Sequence, residues 1–332
     1  MAKQNYSFGL DIGTSAIKLV KLEFTADSVN LTGFSLQAAA PGINEAVRNI
    51  AQGVDTKKVN FSVSGQSTVI RYINLPRMNE TELKAAMSFE AQKHIPFPLQ
   101  EVNYDACILK EEPQAGPMLV LLAAVKKDFL SERIKVIEEA GLKPEIADID
   151  SLALVNIFNF TYIGSPAIQN KALALLNIGS SQTNLTILEN TFPYMSRDIH
   201  IAGNNFTQKV ADTLGLDFPS AEKLKLDPPK EKLQNVIAAV ESVLAGLASE
   251  IRTSFDYYES QRASSVTRIF LSGGSAGAAG LKDALANILG LEVEAWDPLS
   301  KIGIADNLNA QEIKGLSSQL AVAIGLALRG IK

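Results

Sequence analysis

Asp11, Gly13, Thr14 and Ser15 crowd into one short part of the stretch FGLDIGTSAIKLVKLEF, Phe8 to Phe24. These residue types suit polyphosphate chemistry. A glycine lets backbone N–H groups approach an anion closely, the hydroxyls add donors, and a carboxylate can hold hydrated Mg²⁺ against phosphate oxygens. The apolar run before Asp11 and the alternation from Lys18 to Glu23 predict a strand, a tight turn and a second strand. Ordinary turn chemistry uses the same residues, so the hairpin alone leaves both readings open, as it does for Lys18, a cleft cation or a solvent-facing strand residue.

The pattern returns in LALLNIGSSQTNLTILEN, Leu173 to Asn190, with Asn177, Gly179, Ser180, Ser181 and Thr183 in the corresponding places. Asn177 lies 166 residues after Asp11, half the length of the 332-residue chain. Recurrence of one uncommon hairpin at that interval predicts two related halves, each offering a glycine turn to the same nucleotide. A third cluster, LSGGSAGAAGLKDALANIL, puts Gly273, Gly274 and Ser275 between a strand and a helix. There, bare backbone and a helix N-terminus can meet a phosphate or lie beside a flat base. It is not a Walker A sequence, because no GK[ST] follows, and it does not fit GxGxxG.

Two further sites are ambiguous. Glu222 and Lys225, three apart in SAEKLKL, share one face of a short helix that Ser220 can cap, either as a surface ion pair or as cleft residues. Asp148 and Asp150, in KPEIADID, either assist hydrolysis or cap the following helix, capping suiting Asp150 better.

The elements that must position these residues follow from periodicity. After a third strand near Leu31–Gln37 and a helix Ile43–Gln52, VNFSVSGQSTVIRYINLP alternates as two strands around Gly65. Asn79, with Glu82 three residues on, opens a helix that runs to Ile95 and stops at Pro96. Strands at Tyr104–Leu109 and Met118–Val125 flank the loop EEPQAG, and a helix Asp128–Ala140 ends at Gly141. The block from about Arg77 to Val125 reads as a small α+β unit inserted into the first domain. In the second half, IHIAGNNFTQKVADTLG gives a strand, a glycine turn at Gly203 and a helix, and a long helix covers about Lys232 to Gln261. Gly325 in the last apolar helix permits close packing.

Length and composition bound the rest. At 332 residues and 46% hydrophobic content the chain exceeds a single core, which predicts two domains. A formal charge of −5 without a dense Lys/Arg cluster argues against a nucleic-acid footprint and points to proteins and small molecules as partners. One cysteine, Cys107, and two distant histidines, His94 and His200, offer neither an internal disulfide nor metal-ligand spacing, as suits a reducing cytosol. MAKQNYS lacks the basic and apolar regions of a secretory signal, and the longest apolar runs are strand length, so no transmembrane segment is expected.

Three glycine turns across two similar halves make the chain resemble the actin-like ATPase superfamily. LDIGTSAIK matches its first phosphate loop, LNIGSSQTNLTIL the second and LSGGSAG the adenosine loop. EIADIDSLAL and QLAVAIGLAL match the two connecting helices, and AEKLK the segment whose Glu and Lys contact ribose. The resemblance implies an α/β actin-like ATPase fold of two ribonuclease-H-like domains with ATP and Mg²⁺ between them. Domain I is then 1–165 with an inserted subdomain at about 77–125, completed by helix 317–332. Domain II is 166–316, its smaller subdomain at about 204–265. The implied cofactor-binding set is Gly13, Thr14, Ser15, Lys18, Gly179, Ser180, Ser181, Thr183, Gly203, Glu222, Lys225, Gly273, Gly274 and Ser275, with Asp11 at the metal. Asp11, Asn177 and Asp148 are the catalytic candidates.

Within the superfamily, FEAQKHIPFPLQEV, EAGLKPEIADIDSLAL and IAGNNFTQKVADTLGLDFPSAEKLK resemble the PilM family of the type IV pilus assembly platform. That implies a cytoplasmic ATP-binding adaptor, held at the inner membrane by partners. A groove beside the 77–125 subdomain would receive the N-terminal tail of a PilN-like bitopic membrane protein, with other platform or motor proteins as further partners. IPFPLQEV also reads as a plain helix stop. Asn177 departs from the Asp that related ATPases carry in the second loop, which implies that binding survives better than hydrolysis. A small-molecule kinase and an FtsA-like filament-forming division protein are the alternatives within the superfamily.

Overall fold

The computed structural model describes residues 5–40, 42–54, 58–111 and 116–329. Most of the EEPQAG loop and the last three residues of the expected closing helix lie outside them. Alternating and continuous apolar runs give the first sheet. β1 (Tyr6–Ile12), β2 (Ala16–Phe24) and β3 (Val29–Ala38) form an antiparallel meander. After α1 (Ile43–Ala51), β4 (Lys58–Val63) joins parallel to β1.

Gly65, at φ +87°, then turns the chain out of this sheet. β5 (Thr68–Leu75) pairs elsewhere, so the two strands expected around Gly65 belong to different sheets. α2 (Glu80–His94) starts on a full capping box between Asn79 and Glu82. It covers Leu83, Met87 and Ala91 against a three-stranded sheet of order β5-β7-β6, with β6 Val102–Glu111 and β7 Met118–Lys126. The three-stranded sheet thus takes in β5 from Thr68, ahead of the block expected from about Arg77. α3 (Lys127–Glu139) and β8 (Lys143–Ile149) return the chain to the first sheet, and α4 (Asp150–Tyr162) leaves it.

The second half repeats the meander as β9 (Ala172–Ile178), β10 (Thr183–Glu189) and β11 (Phe192–Ile199). α5 (Gly203–Leu214), α6 (Phe218–Leu226) and α7 (Leu233–Gln261) precede β12 (Val266–Ser272), parallel to β9. α6 starts earlier than expected, capped by Asp217 rather than Ser220. α8 (Leu281–Leu289) and β13 (Glu292–Ala295) complete a sheet of order β11-β10-β9-β12-β13. The chain is back on the first sheet already at β14 (Gly303–Ile304), before the expected boundary at 316, and α9 (Ala310–Leu328) begins ahead of 317.

These elements stack in five layers. α1 and α3 cover one face of the first sheet, α4 and α9 lie between the two large sheets, and α5, α7 and α8 cover the far face of the second. Both faces of β9 are therefore buried, which accounts for its apolar run from Ala172 to Leu176. At the centre, a Cβ on Gly325 would stand 1.9 Å from the Ala153 carbonyl, and one on Gly9 would stand 2.0 Å from that of Ala323. Only glycine lets α4, α9 and β1 approach this closely. No helix of the described residues is long and apolar enough to cross a membrane.

Candidate functional site

The two hairpins are equivalent residue by residue. Asp11 pairs with Lys18 across β1 and β2, and Asn177 pairs with Asn184 at the same register across β9 and β10. In the first half the pair is ionic, with Lys18 Nζ donating to Asp11 Oδ2 at 2.9 Å. In the second it is an amide pair, with Asn177 Nδ2 donating to Asn184 Oδ1 at 3.0 Å. Each turn also needs its glycine for lack of room. A Cβ on Gly13 would meet the Ala16 carbonyl at 2.8 Å, and one on Gly179 the Gln182 carbonyl at 2.9 Å. The turns touch: the Thr14 hydroxyl lies 2.7 Å from that of Ser180 and donates to that of Ser181 at 3.0 Å.

The loop after β12 closes a third side. Gly273, at φ +100°, sits where a side chain would collide with Ile178, and the Ser275 N–H donates to the Ile178 carbonyl at 3.1 Å. Beneath it Lys225 is buried. Its ammonium donates to Glu222 at 2.7 Å, to Thr207 at 3.0 Å and, at 3.4 Å, to the Gly203 carbonyl and Ser275. Burial lowers the Lys225 pKa, and the Glu222 carboxylate opposes that. Glu222 also accepts from the Thr207 hydroxyl. Glu222 and Lys225 are thus a half-buried pair under the loop rather than a solvated surface pair.

These walls enclose a cleft of about 320 Å³. Asp11, Gly13, Thr14, Ser15, Lys18, Asn177, Gly179, Ser180, Ser181, Glu222, Gly274 and Ser275 line it. Gly203, Gly273 and Lys225 lie behind the lining and support it. Thr183 faces inward, its hydroxyl bound to the Ile201 carbonyl at 2.8 Å, because strand alternation gives the cleft to Asn184 instead.

Asp148 departs from its expected place. It is buried against Arg329, 3.0 Å away, and does not line the cleft. Asp150 does. The two would share a face on a continuing strand, but the helix starts at Asp150 and re-aims its carboxylate. Nor does Asp150 cap α4, whose N-cap is Ile149, without a side-chain hydrogen bond. Burial, followed by the field of Asp11, pushes the Asp150 carboxyl up to about 7.

Sequence reasoning missed Ser64, Phe129, Arg133, Gln182, Asn184 and Gln319 in the lining. Asn184 had a signal, its register with Asn177. Arg133 and Phe129 had none, because α3 reaches the cleft only through tertiary packing. Asn184 extends the site outward, donating to Asp198 Oδ1 at 2.7 Å while Asp198 Oδ2 accepts from the Gly65 N–H at 2.8 Å. Asn177 Oδ1 in turn accepts from the Ser272 hydroxyl at 3.3 Å. One polar chain thus runs from β12 through both strands of the second hairpin to the loop that leads into the three-stranded sheet.

The family model for type IV pilus assembly protein PilM matches residues 9–331. A solved PilM-PilN type IV pilus biogenesis complex overlays with a TM-score of 0.86 at 26% identity, covering 99% of both chains. Ethanolamine utilization protein EutJ from Carboxydothermus hydrogenoformans, at 14% identity and TM-score 0.55, shares the fold over 98% of this chain and 90% of its own. Cell division protein FtsA of Staphylococcus epidermidis is 21% identical over 264 residues, 67% of this chain. The match spans 54% of that relative's length. FtsA of Streptococcus pneumoniae is 23% identical over 99% of this chain and 84% of its own. The fold is the actin-like ATPase fold.

Proposed function

The chain belongs to the PilM family of type IV pilus assembly proteins, and on that premise we propose that it is an ATP-binding adaptor whose partner is the cytoplasmic N-terminal tail of a PilN-like membrane protein. One observation carries the reading: two equivalent glycine turns, 166 residues apart, meet through the Thr14 and Ser180 hydroxyls at the mouth of one cleft. Two related halves that converge on one point can grip one polyanion from both sides.

The residues fit Mg²⁺ and a nucleoside triphosphate. Among the described residues no group of three or more His, Cys, Asp or Glu forms a metal cage. Mg²⁺ beside nucleotides is held by one or two carboxylates together with phosphate oxygens and water. Asp11 supplies the carboxylate, the turn backbones at Gly13 and Gly179 the close approach, and Thr14, Ser15, Ser180 and Ser181 the donors. Glu222, with Gly274 and Ser275, stands on the wall suited to ribose and base. Bound Mg²⁺ and triphosphate supply the charge that both halves enclose and a transferable terminal phosphoryl group. Asp150 faces the cleft, its carboxyl held up by burial and then by Asp11, and in its ionised form can accept a proton from water. Asn177 has donor and acceptor both engaged and brings no charge, which favours binding over turnover.

The partner groove is proposed beside the three-stranded sheet. The face opposite α2 carries Tyr72, Leu121 and Cys107 in one cross-strand row. At one end of the row the Tyr72 hydroxyl lies 2.8 Å from that of Ser196 on β11, and at the other Cys107 is exposed. A row of this kind, apolar at Leu121, suits a short peptide. Attachment through such a tail would hold a chain with no spanning helix among its described residues at the cytoplasmic face of the inner membrane.

Calorimetric titration of the protein with Mg²⁺ and ATP, then with a synthetic partner tail at saturating and zero ATP, tests the reading. The expected result is binding of both, with peptide affinity shifted by ATP. Peptide binding indifferent to ATP, or phosphorylated product from a screen of sugars and acids, overturns the adaptor.

A further inference from the structure

α3 connects two parts of the molecule that the reading above treats separately. It continues directly from β7, the central strand of the three-stranded sheet, with Lys126 ending the strand and Lys127 starting the helix. Its first turns then present Phe129 and Arg133 to the wall of the cleft. The two are four residues apart and share one face of the helix. The Arg133 guanidinium carbon lies 5.3 Å from the centroid of the Phe129 ring, which directs the long side chain along the helix.

Arg133 is half-buried. Burial works against its charge, and the carboxylates of Asp150, Glu132 and Asp11 offset that. The other cleft cations are committed elsewhere. Lys18 is held by Asp11 at 2.9 Å, and Lys225 lies under Glu222 at 2.7 Å. Arg133 stands with Asp11, Ser64 and Asp150 on the wall built by the first half of the chain. Its planar fork of donors matches two oxygens of one phosphoryl group, which a lysine ammonium does not.

We infer that Arg133 contacts the terminal phosphoryl group of a nucleoside triphosphate, and that through it the cleft distinguishes triphosphate from diphosphate and passes the difference along α3 to the three-stranded sheet. This rests on the reading of the cleft as a nucleotide site. With a diphosphate the guanidinium stays over the Phe129 ring, in the field of Asp150 and Asp11. A third phosphoryl group, more highly charged, competes for it, and because helix and strand are continuous, the shift of Arg133 is carried into β7 without a flexible joint. The proposed peptide wall is built on that same strand.

The test compares wild type, Arg133→Ala and Arg133→Lys for affinity toward ATP and ADP with Mg²⁺, and follows amide exchange in β5 and β7 with each nucleotide. Arg133→Ala should weaken ATP about tenfold or more and ADP less than about threefold, and should abolish the difference in exchange between the two nucleotides. Arg133→Lys, which keeps the charge and the aliphatic stem, should lose part of the preference and serves where the alanine variant folds poorly. Wild type that binds both nucleotides, with a preference unmoved in either variant, overturns the inference alone. Wild type that binds neither overturns the nucleotide reading and this inference with it.

Discussion

The hydroxyl oxygens of Thr14 and Ser180 lie 2.7 Å apart across the mouth of the cleft, joining two turns from opposite halves of the chain. A phosphoryl group cannot stand between hydroxyls already in contact, so uptake of a triphosphate requires the turns to part. Cross-linking them should therefore close the site. In a Cys107→Ser background, which removes the chain's one native cysteine, Thr14→Cys with Ser180→Cys should lose about tenfold or more in ATP affinity when oxidised and recover it on reduction. Unchanged affinity of the oxidised form would show that nucleotide enters without separating the loops.

The equivalent register of Asp11↔Lys18 and Asn177↔Asn184 leads to opposite expectations for two substitutions. Asp11→Ala removes the carboxylate proposed for the metal and frees Lys18, so Mg²⁺-dependent ATP binding should fall about a hundredfold or more; retained affinity undoes that assignment. Asn177→Asp restores the residue that related ATPases carry, but a carboxylate cannot donate to Asn184 Oδ1 as the amide does. Asn184 must then turn, giving up Asp198. The variant should lose about 1–2 kcal/mol in denaturant unfolding and exchange the Gly65 amide faster, whatever it gains in hydrolysis.

Most of the fold was legible because its signals are local. The capping box at Asn79, the turn glycines and the repeated hairpin each declare themselves within a few residues. What was not legible depends on partners distant in sequence. β4 and β5 alternate alike, and nothing in their pattern says that Gly65 sends them to different sheets. Asp148 and Asp150 look equivalent until the helix start places one against Arg329 and the other in the cleft. Strand alternation already separates Thr183 from Asn184; reading the whole turn as binding surface overlooked it.

Gly325 tests the packing that holds the halves together. A methyl group there would stand 1.9 Å from the Ala153 carbonyl, a backbone atom that α4 cannot move alone. Gly325→Ala should force α4 and α9 apart at a cost of about 2–4 kcal/mol, despite alanine's better helix propensity. Unfolding in urea checks the loss, and the same substitution at Gly315, where a Cβ meets nothing within 4 Å, should be neutral or stabilising. Equal effects at both positions would rule out close helix approach as the cause.

Asp150 gives the cleft a pH dependence of definite sign. Its carboxyl titrates near 7 in the folded protein, raised by burial and then by Asp11, against about 3.9 in an unfolded chain. Between those values the folded state holds a proton that the unfolded state has released, so this group's contribution to stability falls as pH rises from about 4 to 7 and is level above. Asp150→Asn cannot ionise and removes the dependence. The variant should be about 1–3 kcal/mol more stable than wild type at pH 8, with the difference shrinking steadily toward pH 5. Urea midpoints across that range measure it. A difference that is constant with pH, or that grows in acid, would mean that Asp150 is ionised throughout and is not held protonated beside Asp11.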